Sequence, residues 1–257
     1  MKKVPTILTL TAVISFTLSI TQAAQGFDCH GFLKNGNPGH VDQYLCREAY
    51  TVGYNYQTKQ PTWVASKLTG ESVNKHIKRK DKFKPDSSIP VQYRAELSDY
   101  SHSGYDRGHL MPYASADIDQ ASANESFLLS NMSPQKSGLN RQGWAALESD
   151  VRFWAKYKKE VYVYTGPVFQ GKNIKSIGNG VKVPTAFFKI IYAPQQHQAI
   201  AFVMPNAQVS KSKVSDYRTN IATIEKLTGM QFLTALPQTE RNKLISTTAK
   251  MWRVSYS

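Results

Sequence analysis

Tyr105-Asp106-Arg107-Gly108-His109 sets a carboxylate, a guanidinium, a residue without a side chain and an imidazole in immediate succession. A neutral imidazole titrates near neutral pH and can take a proton from water. The arginine suits a phosphate oxygen, and the glycine permits close backbone approach. A lone histidine is more often structural, and His30, His40, His76, His102 and His197 are read that way. His109 stands apart because of its companions downstream. Asn131 lies in Ser130-Asn131-Met132-Ser133-Pro134-Gln135, and Asn140 opens a segment carrying Trp144 and Glu148.

Trp144, Leu147, Val151 and Trp154 recur at intervals of three or four, which predicts a helix over about 140–157. Asn140 falls at its start. There the side-chain amide either caps the helix or offers its carbonyl oxygen to a hard cation. Glu148, two turns on, is rotated by about 80° at 100° per residue and can share a broad face with Asn140. The alternative for Glu148 is a solvated helix carboxylate.

Outward from this segment the pattern is mixed. Tyr50, Val52, Tyr54 and Tyr56 alternate as in a strand, and 61–68 reads as its antiparallel partner. Residues 74–103 are polar and irregular, with Lys75, Lys78, Arg79, Lys80, Lys82 and Lys84 crowded together; most such runs are solvated loops. Further strands are predicted at 127–132, 160–165, 185–192 and 198–204, and further helices at about 214–227, ending at Gly229, and at 238–248. Strands and helices mixed without strict alternation give an α+β class with a mainly antiparallel sheet.

The composition is that of an ordinary globular chain, 41% hydrophobic and 19% charged, so global disorder is excluded as a class. Residues 1–23 read as a signal peptide: Lys2 and Lys3, an apolar run from Ile7 to Ile20, and small residues at Thr21 and Ala23. The expected product is secreted or periplasmic after cleavage near Ala23. No later stretch is long and apolar enough to span a membrane. The net charge of +14, of which the leader holds only two lysines, favours polyanionic partners. In an exported chain the two cysteines, Cys29 and Cys46, are expected to pair. Their loop of about 17 residues would contribute roughly 3 kcal/mol. Residues 24–257 are read as one domain, with a disulfide-tied segment at about 27–46 and a core at about 47–230.

Asp-Arg-Gly-His, then Asn-x-x-Pro-Gln, then Asn with Trp and Glu behind it, resembles the DNA/RNA non-specific endonuclease family, of the Serratia extracellular nuclease and mitochondrial endonuclease G type. Arg79 to Asp86, Val161 to Pro167, Val183-Pro184-Thr185 with Phe188-Lys189, and Ala201 to Asn206 follow the same family's pattern. The resemblance covers roughly 45–230. It implies a ββα-metal (His-Me finger) nuclease with the sheet flanked by helices. It also implies that His109 is the general base and that Asn140 is the protein ligand of Mg2+, with Mn2+ as a substitute. Glu148 would hold a metal-bound water, and Asn131 would support the site by hydrogen bonding near the histidine or the phosphate. Arg79 and Arg107 would contact the phosphate, Arg79 stabilising the transition state, while Asp106 orients its neighbours. Arg141-Gln142-Gly143 departs from the family's order before the Trp, which puts substrate contacts rather than metal binding in question.

The activity so implied is hydrolysis of DNA and RNA with 5′-phosphate ends, through backbone contacts without sequence specificity. The sequence leaves the oligomeric state open, a homodimer included. The competing class is a non-catalytic secreted DNA-binding protein for uptake or matrix attachment. It accounts for the charge but not for His109, Asn131, Asn140 and Glu148 together.

Overall fold

In a computed structural model, residues 28–252 are described, so the signal-peptide reading and Ala23 lie outside the described residues. Along the chain, β1 (Gln43–Cys46), β2 (Thr51–Asn55) and β3 (Gln60–Thr69) form a meander. The basic stretch after it contains short helical turns, including α1 (Leu97–Tyr100), and one isolated parallel bridge from Lys84 to Leu128. β4 (Asp106–His109), α2 (Tyr113–Ala116), α3 (Gln120–Glu125) and β5 (Met132–Gln135) come next. A π-helical turn, Leu139–Trp144, runs directly into α4 (Ala145–Tyr157). Then come β6 (Glu160–Val168), the short pair β7 (Ser176–Ile177) and β8 (Val181–Lys182), β9 (Ala186–Ala193), β10 (Gln198–Pro205), β11 (Arg218–Thr219), α5 (Ile221–Thr228) and α6 (Gln238–Ser246).

Seven strands form one sheet in the order β1-β2-β3-β6-β9-β10-β11, antiparallel throughout. Both faces of its centre are covered, so the central strands are apolar on alternate residues to each side. Val161, Val163, Phe187, Ile191, Phe202 and Met204 pack with Trp144, Leu147, Val151 and Trp154 of the α4 layer. Tyr162, Tyr164, Phe188, Ile190 and Ala201 face the other way, against Ile221, Ile224 and Leu244 of α5 and α6. Lys189 belongs to the α4 face by this alternation and is 1% exposed. Cys29 and Cys46 form the expected disulfide. It fastens the N-terminal segment to the end of β1.

Three predicted elements are corrected. The strand placed at 127–132 is a 3-10 turn at Leu129–Asn131, and the strand begins only at Met132. The buried Asn131 side chain causes this. It accepts from Met111 N at 2.8 Å and donates to Met111 O and Ser126 O at 2.9 Å each, holding the chain in a turn. The helix placed at 214–227 is split into a 3-10 stretch Lys211–Tyr217, β11 and α5. Asn220 caps α5 by accepting from Thr223 N at 2.8 Å, and Gly229 ends it at φ +73°. Finally, the helix at 140–157 is not α-helical from its start. Gly143 N donates to Val209 O at 2.9 Å, diverting that amide outside the helix and leaving a π-turn.

Asn131→Ala would strand three buried backbone groups at once. The expected loss is about 2–4 kcal/mol, read as a lower urea midpoint with an unchanged m-value.

Candidate active site

The smaller β4–β5 pair sets Asp106 opposite Gln135 and His109 opposite Met132. The Gln135 side chain crosses Gly108, so a Cβ there would have to displace the Gln135 amide. β4 ends at His109. Immediately afterwards Leu110 N donates to Asn131 O at 3.0 Å, and the Asn131 side chain takes Met111. The imidazole is therefore fixed from behind by a buried turn.

Asp106, at the other end of β4, ties the strand to the start of the helix. Its carboxylate accepts from Arg141 Nε and Nη2 at 2.8 Å each and from Asn140 Nδ2 at 2.9 Å. Burial pushes the Asp106 carboxyl upward, but the bonds from Arg141 and Asn140 outweigh it and hold the group below the usual range. Asn140 makes no capping bond; the residue before the π-turn is Gly138. The capping alternative is thereby removed. With Nδ2 engaged by Asp106, Oδ1 is the amide's remaining acceptor.

These elements surround a cleft of about 770 Å3, lined by Arg79, Arg107, His109, Asn140 and Glu148 among others. Five of the six predicted site residues thus share one cavity. Asn131 is the exception. It is fully buried, spends its amide on the backbone, and reaches the site only through the turn behind His109.

Arg107 lies over the Phe83 ring at 4.2 Å. Arg79 is paired with Asp81 at 2.6 Å and stands 5.4 Å from the rings of Tyr113 and Phe127. Phe83 and Phe127 also flank His109, at 5.6 and 5.4 Å. Nε2 of His109 is buried without a hydrogen-bond partner. The imidazole is itself part of the cleft lining. Burial first, then Arg79, bring the His109 pKa down to about 3, against an upward pull from Asp81 and with a smaller lowering by Arg107. The ring is neutral over the whole physiological range.

Glu148 is held above its ordinary carboxylate range by burial, opposed by Lys189, Arg152 and Arg79. Beneath it Lys189 donates to Thr165 Oγ1 at 2.8 Å and lies 4.6 Å from the Trp144 ring. Asn140 Oδ1 and the Glu148 carboxylate are hard oxygen donors, few in number. That set suits a small divalent cation that keeps most of its water. Among the described residues one cluster of three His, Cys, Asp or Glu side chains lies close together, Cys29, His30 and Cys46, and the disulfide consumes its sulfurs.

Sequence reasoning missed Arg141, Arg152, Lys189, Phe83 and Tyr113 as members of this neighbourhood. Arg141 adjoins Asn140, and a carboxylate awaiting a partner at Asp106 was the available signal. Lys189 sits in a segment that follows the family's pattern, and a lysine inside an otherwise apolar strand was its signal.

Because the folded His109 pKa lies below the ordinary value of about 6.5, the unfolded chain binds more protons between the two. This contribution to stability is complete above about pH 6.5 and is lost as pH falls toward 3. In the metal-free protein the His109 ring is expected to remain neutral at pH 5 by NMR while exposed histidines titrate. A protonated His109 at that pH would contradict the electrostatic reading.

The sequence profile of the DNA/RNA non-specific endonuclease family matches residues 30–239. The mitochondrial nuclease of Saccharomyces cerevisiae is 38% identical over 241 residues, covering 84% of this chain and 73% of its own length. Nuclease C1 of Cunninghamella echinulata var. echinulata is 35% identical over 79% of this chain and 88% of its own. Human mitochondrial endonuclease G is 35% identical over 78% of this chain and 72% of its own. A chain from the crystal structure of the EndoG/EndoGI complex superposes with a TM-score of 0.76 at 33% identity, covering 84% of this chain and 96% of that one. With its antiparallel sheet and the β4–β5–α4 unit around the cleft, the chain belongs to the DNA/RNA non-specific endonuclease family and is a nucleic-acid hydrolase of the ββα-metal fold.

Proposed function

We propose that this protein is an exported, Mg2+-dependent, sugar-non-specific endonuclease acting as one catalytic domain, in which His109 takes a proton from water and the products carry 5′-phosphates. The observation that carries the reading is the convergence of a neutral imidazole, an oriented amide oxygen, a carboxylate and two guanidinium groups on one cleft. Export rests on the leader sequence alone, and relatives of this chain include both mitochondrial and other nucleases.

Arg79 and Arg107 bind the scissile phosphate, and their aromatic neighbours hold them facing the cleft. Nδ1 of His109 accepts a proton as the water oxygen bonds to phosphorus. The P–O3′ bond breaks, giving a 5′-phosphate and a 3′-oxyanion that takes a proton from solvent water to become the 3′-hydroxyl. An arriving phosphate offsets the two arginine charges that depress His109, so basicity rises when substrate is present. Asn140 Oδ1 would hold the cation directly, and Glu148 would orient one of its waters. When bound, the cation supplies Lewis-acid stabilisation of negative charge on the phosphoryl group and the departing oxygen. Recognition through the backbone makes affinity fall steeply with salt and leaves little base preference.

His109→Ala is expected to reduce plasmid and RNA cleavage by at least about 100-fold with substrate binding retained. Asn140→Ala is expected to raise the Mg2+ concentration needed for half-maximal cleavage. Wild-type cleavage that persists in excess chelator would remove the metal from the account. Undiminished cleavage by His109→Ala would remove the base.

A further inference from the structure

A second cleft, about 600 Å3 in volume, opens near the far end of α4 from Asn140. Lys158, His197, Lys243, Lys250 and Trp252 line it, and among the described residues no acidic side chain does. Its floor is built rather than incidental. Trp252 packs edge-on against Trp154 at 5.1 Å, and its carbonyl accepts from Trp154 Nε1 at 3.2 Å. Lys158 lies over the Trp252 ring at 4.2 Å and donates to Gln198 Oε1 at 2.9 Å. His197 is held from outside the lining by Glu240, at 2.7 Å. Lys243 and Lys250 are exposed, and neither has an ion-pair partner among the described residues.

Charge of one sign in a concave wall attracts a polyanion, and the substrate of this chain is one. From Glu148 to Lys158 the helix rises roughly 15 Å at 1.5 Å per residue. That equals about four to five base pairs of duplex at 3.4 Å each. Arg152 lines the first cleft, and Lys156, one turn on, is exposed, so positive charge continues along α4 between the two clefts.

We propose that this cleft is a second binding surface for the nucleic-acid backbone, which holds the flanking part of a substrate whose scissile phosphate lies at His109. The cleft contributes affinity for long substrates and nothing to the chemical step. It rests on the nuclease reading for its ligand, and the test separates the two.

The test pairs Lys243→Gln/Lys250→Gln with a control of equal charge loss elsewhere, Lys34→Gln/Lys226→Gln. All four lysines are exposed, so folding is not at stake. Anisotropy titrations in chelator, with a duplex of about 30 base pairs, measure affinity against salt without cleavage. The cleft pair is expected to weaken binding by about three- to tenfold and to make the slope of log Kd on log salt shallower by about 2. The control pair should leave both near wild type, and kcat/KM on a tetranucleotide should be unchanged in either pair. An unchanged slope in the cleft pair, the same change in both pairs, or an equal loss on the tetranucleotide would overturn the proposal. If the wild type hydrolyses nothing, the nuclease reading falls, and the binding slopes still decide the cleft.

Discussion

The carboxylate of Asp106 joins the two halves of the site. One oxygen takes Arg141 Nη2, and the other takes both Arg141 Nε and Asn140 Nδ2. An ion pair this exposed contributes little through Coulomb attraction alone. Its consequence is geometric. The forked guanidinium fixes the carboxylate plane, and the carboxylate fixes which end of the Asn140 amide is left over. Both Asp106 oxygens are occupied by nitrogen donors, so Asp106 orients the Asn140 amide. The same contact pins β4 to the π-turn, and with it the separation between His109 and Asn140.

The sheet serves that arrangement as a platform. α4 is seated by Trp144, Leu147, Val151 and Trp154 on the odd-numbered side chains of β9, and Lys189 occupies one of those inward positions. A buried ammonium is costly unless it is bonded and faces opposite charge. Here Thr165 bonds it, Trp144 presents a ring face, and Glu148 lies close enough to act on it. Core packing and site electrostatics thus share one residue. The wall of Phe83 and Phe127 has a similar double use. It keeps His109 neutral, and it also orients Arg79 and Arg107.

Much of this was legible from the chain alone, and for definite reasons. Alternation in Val161 to Tyr164 and the three- and four-residue spacing from Trp144 to Trp154 come from faces that must be buried, so β6 and α4 were anticipated. Elements set by side chains reaching across the fold were not. The turn at Leu129–Asn131 depends on Asn131 bonding backbone far away in sequence, and the π-turn depends on Val209 taking the Gly143 amide. The same division holds at the site. His109, Asn140 and Glu148 were singled out by residue type and order, and the fold brings them to one cleft. The pairing of Asp106 with Arg141, and the placement of Lys189 under Glu148, exist only once strand and helix have met.

In the proposed function, the amide oxygen of Asn140 is the side of the residue presented to a cation. Anomalous diffraction from crystals soaked in Mn2+ tests this most directly. The predicted result is a peak within coordination distance of Asn140 Oδ1, with Asp106 still bonded to Arg141 and Nδ2. A peak on the Asp106 carboxylate, or away from Asn140, would contradict it.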